Sequence, residues 1–480
     1  MPLGQTLVAA KLVTEEDVSM ALANQRKSGG TLGDNLVRLG RIDREQLEAF
    51  LEQGPPPIAS VADTGLDDMF LQGLALKVIY AHGVKTPSEV AEIVRLSVPI
   101  VREILERLRG RGLLEPLGAE ASSRQLDLRY GISAVGRDFV QEALKQSVYA
   151  GPAPVPLAAW QKQVERQRIT NDRVDQEAIA HSLEGLVIAP ELIARLGPAV
   201  NAGRGMLLYG APGDGKTSIA TAIAHSFRQS VWVPYAIEVE REIIKIFDPA
   251  LHREKPVNGG TVDEPRSAFI KTQVSSRDRR WVRCSRPIVV TGGELTTDML
   301  DLKFDPVGLY YEAPLHTKMT GGVFVVDDFG RQIARPEQVL NRWVLPLESR
   351  LDFLTLHTGK KFAVAFDGLV IFSTNLMPSK IMDAAMMRRI PYNFFIAPPT
   401  REEYIEIFRR VCVANEIPFE IDVVLAVMER LYEEEKLAMS RYHPRFIVEH
   451  VLARCSYEGR DPILDEELAL DAAQHLYTKQ

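Results

Sequence analysis

Residues Gly210-Ala211-Pro212-Gly213-Asp214-Gly215-Lys216-Thr217 follow the spacing G-x-x-x-x-G-K-[ST], and nothing else in the chain limits its folding so tightly. Apolar Met206-Leu207-Leu208-Tyr209 before the loop reads as a buried strand, and Thr217 to Phe227 after it as a helix. A glycine loop between a strand and a helix turns backbone N–H groups inward, and the helix N-terminus adds positive potential. The result is a phosphate cradle. Lys216 is expected to reach the β- and γ-phosphates, and Thr217 to hold magnesium through its hydroxyl.

A second element belongs with the first. Gly322-Val323-Phe324-Val325-Val326-Asp327-Asp328 is an apolar strand ending in two acids. Asp327 is suited to hold a magnesium-bound water, and Asp328 to orient or deprotonate an attacking water. Lys216 and Asp327 lie 111 positions apart. The intervening Arg279 to Val290 reads as a hairpin with a basic face.

Upstream, proline and glycine mark seams at Gln53-Gly54-Pro55-Pro56-Pro57 and at Gly151-Pro152-Ala153-Pro154-Val155-Pro156. They divide the chain into 1–53, 65–150 and 160–480, and the last piece subdivides near Pro398-Pro399. The first piece repeats itself with an offset of 29: Leu3-Gly4-Gln5-Thr6-Leu7-Val8 aligns with Leu32-Gly33-Asp34-Asn35-Leu36-Val37. Each copy reads as two short helices, and units this small are expected to pack on each other. The second piece has a winged-helix layout. Helices are expected over 71–81, 86–94 and 98–109, then strands at 113–115 and 126–130 flanking a wing at Gly118 to Gln125, then a closing helix.

The 480 residues suggest about three domains at ~150 residues each. With 46% hydrophobic and 25% charged residues, the chain is neither disordered, collagenous nor a membrane bundle. No apolar run approaches the ~20 residues that span a bilayer, and the first residues lack a basic-then-apolar leader. Three scattered cysteines without a C-x-x-C pair argue against a disulfide framework or a zinc site, so a cytoplasmic location is expected. A net charge of −7 does not suit a polycation that coats nucleic acid. The winged-helix segment carries Arg95, Arg102, Arg107, Arg109 and Arg111. It nevertheless balances eleven basic against eleven acidic residues over 67–149, which favours protein contact over DNA.

Together the phosphate loop and acidic strand resemble those of AAA+ ATPases, and further stretches match that family. Asn375, ending the apolar run Leu369 to Thr374, matches the first sensor. Asp383-Ala384-Ala385-Met386-Met387-Arg388-Arg389-Ile390 matches the stretch carrying the arginine finger, with Arg388 and Arg389 both open as the finger. His443-Pro444-Arg445-Phe446 matches the second sensor through Arg445. Leu183 to Ile188 resembles the stretch that packs against adenine, and 400–480 the helical lid. The expected hairpin of Leu351–Leu356 and Lys361–Phe366 is similar to that of the pre-sensor-1 hairpin branch. The Gly-Ala-Phe-Thr-Gly-Ala loop of its sigma-54 activators is absent. The family usually has Asp-Glu where this chain has Asp327-Asp328.

The N-terminal repeat resembles the N-terminal domain of type II secretion and type IV pilus assembly ATPases. Some members bind cyclic di-GMP there through an Arg and a Gln. Here Pro2 and Thr31 stand at the Arg positions, and Gln25 and Gly54 at the Gln positions, which disfavours that ligand. The acidic and histidine boxes of the secretion motors have no counterpart.

The resemblances imply four units: a repeat domain (1–53), a winged helix (65–150), an α/β AAA+ core with a parallel sheet (160–398) and an α-helical lid (399–480). They imply an oligomeric ATP hydrolase requiring Mg²⁺, a hexameric ring by family likeness, acting on a protein partner in pilus or secretion assembly or related signalling. A DNA-binding transcription regulator and a nucleotide-gated scaffold with little hydrolysis are the alternatives.

Overall fold

The computed structural model describes residues 3–51, 54–119, 128–256 and 277–477. Pro2, Gln53, most of the expected wing and part of the long segment between Lys216 and Asp327 lie outside the described residues.

Parallel strands covered on both faces read as continuous apolar runs, and five such runs build the centre of the molecule. They are β1 (Met206–Tyr209), β2 (Ile288–Thr291), β3 (Gly322–Val326), β4 (Gly368–Thr374) and β5 (Tyr392–Phe395). They pair in parallel in the order β5-β1-β4-β3-β2. Side chains alternate across a strand, so each strand divides its residues between two cores. Met206, Leu208, Val323, Val325, Leu369 and Ile371 face a cluster containing Ile219, Ala220 and Ile223 of the helix Lys216–His225. Leu207, Phe324, Val326, Val370 and Phe372 face the other side, where Trp343 of the helix Pro336–Ser349 packs edge-on against Phe324 at 5.0 Å. The strands give apolar side chains to both layers, and Asp327, Asp328 and Asn375 stand beyond their ends.

A second sheet has an apolar cluster of its own. Lys303–Asp305, Tyr310–Glu312, Glu242–Lys245, Ala236–Val239 and Val155–Pro156 form five neighbouring strands. Trp160, Trp232 and Trp281 fill the cluster beneath it, joined by Leu354, Leu356 and Val364. Leu354 and Val364 lie on the antiparallel pair Leu351–Thr355 and Lys361–Ala365, the expected hairpin.

The expected hairpin over Arg279 to Val290 does not form. Trp281–Ser285 pairs antiparallel with Ser230–Pro234, whereas Ile288–Thr291 is β2 and pairs with β3. The two arms therefore enter different sheets. The reason lies at the bend, where Arg286 is buried and its Nε donates to Asp172 at 2.8 Å. The apolar Ile288-Val289-Val290 that follows suits a covered parallel edge better than a solvated hairpin arm. The basic face also disappears. Arg279 pairs with Glu92 at 2.7 Å, and buried Arg280 pairs with Asp278 at 2.9 Å while donating to the carbonyls of Thr64 and Pro154.

The N-terminal copies fold as Leu3–Ala9 with Glu15–Ser28, and Leu32–Arg38 with Arg44–Leu51. Leu7, Ala21, Leu36 and Leu47 share one small core. The internal repeat is visible in its closest contacts. A Cβ on Gly4 would meet Val18 Cγ1 at 2.6 Å, and one on Gly33 would meet Leu47 Cδ2 at 2.8 Å. Both pairs obey the offset of the sequence repeat. The Arg166 guanidinium lies 4.3 Å from the Phe50 ring centroid and donates to the Phe50 carbonyl at 3.0 Å, tying the repeat to the main body.

Residues 68–146 form helices Asp68–His82, Pro87–Val94 and Val98–Gly110, a two-stranded antiparallel ribbon (Leu114–Ala119 and Leu128–Ile132), and the helix Ala134–Gln146. Helices from Arg401 to Gln474 form a separate core around Tyr404, Phe408, Val448 and Val451. No described helix is long and apolar enough to cross a membrane.

Removing one member of a buried ion pair strands the other charge, at a cost of about 3–5 kcal/mol. Arg286→Leu is therefore expected to lower stability by about that amount, while Arg279→Leu, whose Glu92 partner is exposed, costs under about 1 kcal/mol. Urea unfolding of the two variants checks the difference.

Candidate nucleotide site

In an open parallel sheet, ligands bind beyond the carboxyl ends of the strands. Three of those ends carry polar groups here. The glycine loop Gly210 to Thr217 follows β1, Asp327 and Asp328 follow β3, and Asn375 follows β4. All of them except Gly210 and Ala211 line one cavity of about 660 Å³. Gly185, Leu186, Val187 and Ile188 form an apolar wall with Ile407 and Val411.

The loop depends on glycine at three of its positions, the first being Gly210, where a Cβ would meet the Ile396 carbonyl oxygen at 2.3 Å. Gly213 and Gly215 have φ of 84° and 81°, in the left-handed region. A side chain on Gly213 would run into Ser440, which stands over the loop from the helical region. The Lys216 side chain folds back, donating from Nζ to the carbonyls of Gly210 at 3.2 Å and Ala211 at 2.6 Å. Burial pushes its ammonium below the usual lysine range, and Asp214, Asp328 and Asp327 partly oppose that.

Thr217 Oγ1 donates to the Asp327 carboxylate, with 2.9 and 2.8 Å to its two oxygens. A hydroxyl and a carboxylate make an all-oxygen donor set, the kind that suits magnesium. Asp328 has φ of 47°, an unusual conformation for a residue with a side chain. Asn375 Nδ2 donates to Asp328 Oδ1 at 3.0 Å and fixes the direction of that carboxylate. The structure thus brings Lys216, Thr217, Asp327, Asp328 and Asn375 around one space.

Arg445 also lines the cavity, but it is 73% exposed and pairs with Glu449 at 2.7 Å. Arg388 and Arg389 do not line it. Both end the short helix Ala384–Arg389 and differ in their partners. Arg389 is held by Glu348 at 2.9 Å and by the Ala385 carbonyl at 3.1 Å. Arg388 is exposed, with no ion pair or hydrogen bond from its side chain to the described residues.

Sequence reasoning passed over three cavity arginines: Arg331, Arg410 and Arg441. Arg410 pairs with Glu406 and donates to the Glu184 carbonyl at 2.6 Å, joining the helical region to the apolar wall. Arg441 pairs with Glu403 at 2.8 Å while its Nε and Nη1 are buried without a partner. It precedes Arg445 by one helical turn, a spacing that would have placed both near the same surface. Opposite Arg441, the wholly buried Asp214 has no side-chain hydrogen-bond partner at either carboxylate oxygen. Burial pushes its carboxyl above the usual range, and the charges of Arg441 and Lys216 only partly offset this.

A family model described as Domain of unknown function (DUF8689) matches residues 400–475, the helical region beside the cavity. No curated protein matches the chain. Among solved structures, the chain is similar to the Thermotoga maritima RuvB Holliday junction branch migration motor at 14% identity. That likeness covers 63% of this chain and 70% of that one, with a TM-score of 0.31. It is also similar to NtrX from Brucella abortus at 12% identity, over 72% of this chain and 62% of that one, with a TM-score of 0.35.

A carboxyl with a raised pKa destabilises the fold while it is charged. That cost is full above its folded pKa and vanishes below its unfolded one. Asp214→Asn is therefore expected to raise the Tm of the nucleotide-free protein at neutral pH, with the gain shrinking as pH falls into the carboxylate range. Thermal unfolding of both proteins across pH tests this, and a gain independent of pH would contradict the buried charge as its source.

Proposed function

We propose that this chain is a magnesium-dependent ATP hydrolase of the AAA+ kind, assembled as a homo-oligomeric ring, that moves or remodels a protein partner. The observation that carries the reading is the convergence of Lys216, the Thr217–Asp327 pair and the Asn375–Asp328 pair on one cavity with an apolar wall. The wall offers a purine ring apolar contact. Backbone N–H groups of the loop and the Lys216 ammonium hold the phosphates, and Lys216 must give up its loop carbonyls to reach them. Thr217 and Asp327 would hold a magnesium ion, which when bound neutralises charge on the transferred phosphoryl group. Asp328 takes the proton of the attacking water, and Asn375 keeps its carboxylate in position.

Arg388 is the better finger of the two candidates. Its guanidinium has no partner within the described residues, whereas Glu348 holds Arg389. A finger acts on a neighbour's γ-phosphate, so this assignment goes with the ring. The units proposed from sequence follow the same reading: the repeat and the winged helix recruit, the core hydrolyses, and the helical lid closes on the cavity. The DNA-binding alternative loses support because the arginines over 95–111 are engaged. Arg107 pairs with Asp68 and Glu103, Arg109 with Glu106, and Arg111 donates to Gln72. Cyclic di-GMP loses support likewise, because Thr31 caps its own helix and Gln25 donates to the Gly30 carbonyl at 2.8 Å.

Steady-state phosphate release tests the reading. Lys216→Ala is expected to abolish nucleotide binding. Asp328→Asn is expected to keep binding and to lose about 10²–10⁴-fold in turnover. Arg388→Ala is expected to keep binding and to lose about 10³-fold or more, with Arg389→Ala affected less. Wild-type release no faster than that of Lys216→Ala would replace the enzyme with a nucleotide-gated scaffold. Normal turnover in Arg388→Ala would remove the finger assignment.

A further inference from the structure

The C-terminal helices carry a second group of ligating side chains, and none of its members lines the nucleotide cavity. His450 lies midway along the helix Tyr442–Glu458, Asp471 lies on the following helix Glu466–Gln474, and His475 caps that helix. A separation of four residues puts Asp471 and His475 on one helix face, where they meet His450 across the helix pair. One ligand atom from each of the three lies within 4.8 Å of the other two, and the two imidazole centroids are 4.7 Å apart.

We propose that His450, Asp471 and His475 form a binding site for a divalent cation of the zinc class. The donors carry the argument. Neither imidazole makes a hydrogen bond to the described residues, so ring nitrogens on both remain available as ligands. Asp471 receives Arg454 Nη1 on Oδ2, and its Oδ1 has no hydrogen bond to the described residues; a partner of this kind holds a metal-ligating carboxylate in place. Two nitrogens and one oxygen suit zinc, whereas magnesium prefers oxygen alone. Bonds of about 2.0–2.1 Å to a tetrahedral ion bring ligands to about 3.4 Å from one another. The three ligand atoms lie within 4.8 Å of one another, at most about 1.4 Å wider than that. The absence of paired cysteines does not bear on this site, because its donor set contains none.

Three protein ligands leave a coordination position for water or for a side chain of another molecule. The ion would also pin the last described helix to its neighbour. Leu468, Ala469, Ala472 and Ala473 of that helix help fill the core of the helical region. The neighbouring helix begins at Tyr442, which lines the nucleotide cavity. The inference stands apart from the ATPase reading and survives its failure.

Calorimetric titration of the chelator-treated full chain with zinc chloride, without nucleotide, is the test, accompanied by thermal unfolding with and without zinc. One equivalent is expected to bind and to raise the Tm. Affinity should fall more than about tenfold in His450→Ala and in His475→Ala, and should persist in the control variants His181→Ala and Asp327→Asn. Should the histidine variants unfold early, cobalt absorption of the wild-type chain decides. Bands of a nitrogen-ligated ion of low coordination number support the site, and the spectrum of the hexa-aqua ion overturns it. Unchanged zinc binding in either histidine variant, or loss of binding in Asp327→Asn alone, also overturns it.

Discussion

The central sheet is buried on both faces, and this constraint orders everything around it. Each of its strands shares its side chains between two apolar layers, so no charged group can sit along the strands without losing its water. The carboxyl ends are where polar residues become affordable. Gly210 to Thr217, Asp327 with Asp328, and Asn375 stand there, each directly after the last residue of a strand. Because β1, β4 and β3 are neighbours in register, segments separated by more than a hundred residues in sequence face one cavity.

Charge burial distinguishes the parts of that cavity. Thr217 with Asp327 and Asn375 with Asp328 are satisfied pairs. Asp214 and two nitrogens of Arg441 are buried without side-chain hydrogen-bond partners. Unpaired groups of this kind are costly, and here they face each other between the phosphate loop and the C-terminal helices. Gly213 under Ser440 marks the same seam. Ser440 of the helical region therefore stands over the loop beside these poorly paired groups.

Much of the architecture was legible in residue pattern. The strands after Gly205 and Gly321, the hairpin at 351–365, the repeat and the helices over 68–146 fall close to the expected ranges. Each rests on a local signal: an apolar run, a turn, or a cap such as Thr86 with Glu89. The segment from Arg279 to Val290 misled because its signal was not local. Two apolar stretches separated by Arg286-Pro287 look like hairpin arms, yet Asp172 fixes the arginine from more than a hundred residues away. Arg107 likewise finds Asp68 on another helix, a contact that no local signal shows.

What the sequence determined by itself was which polar residues stand at the strand ends, because a glycine loop and acids that terminate apolar runs are read from neighbouring residues. Only the tertiary structure decided which charges remain free. It left Arg388 exposed and tied Arg389 to Glu348. It also set Arg441 against Asp214 and brought His450 beside His475. Charges interact through space, and the nearest opposite charge or ligand is fixed by packing between distant segments.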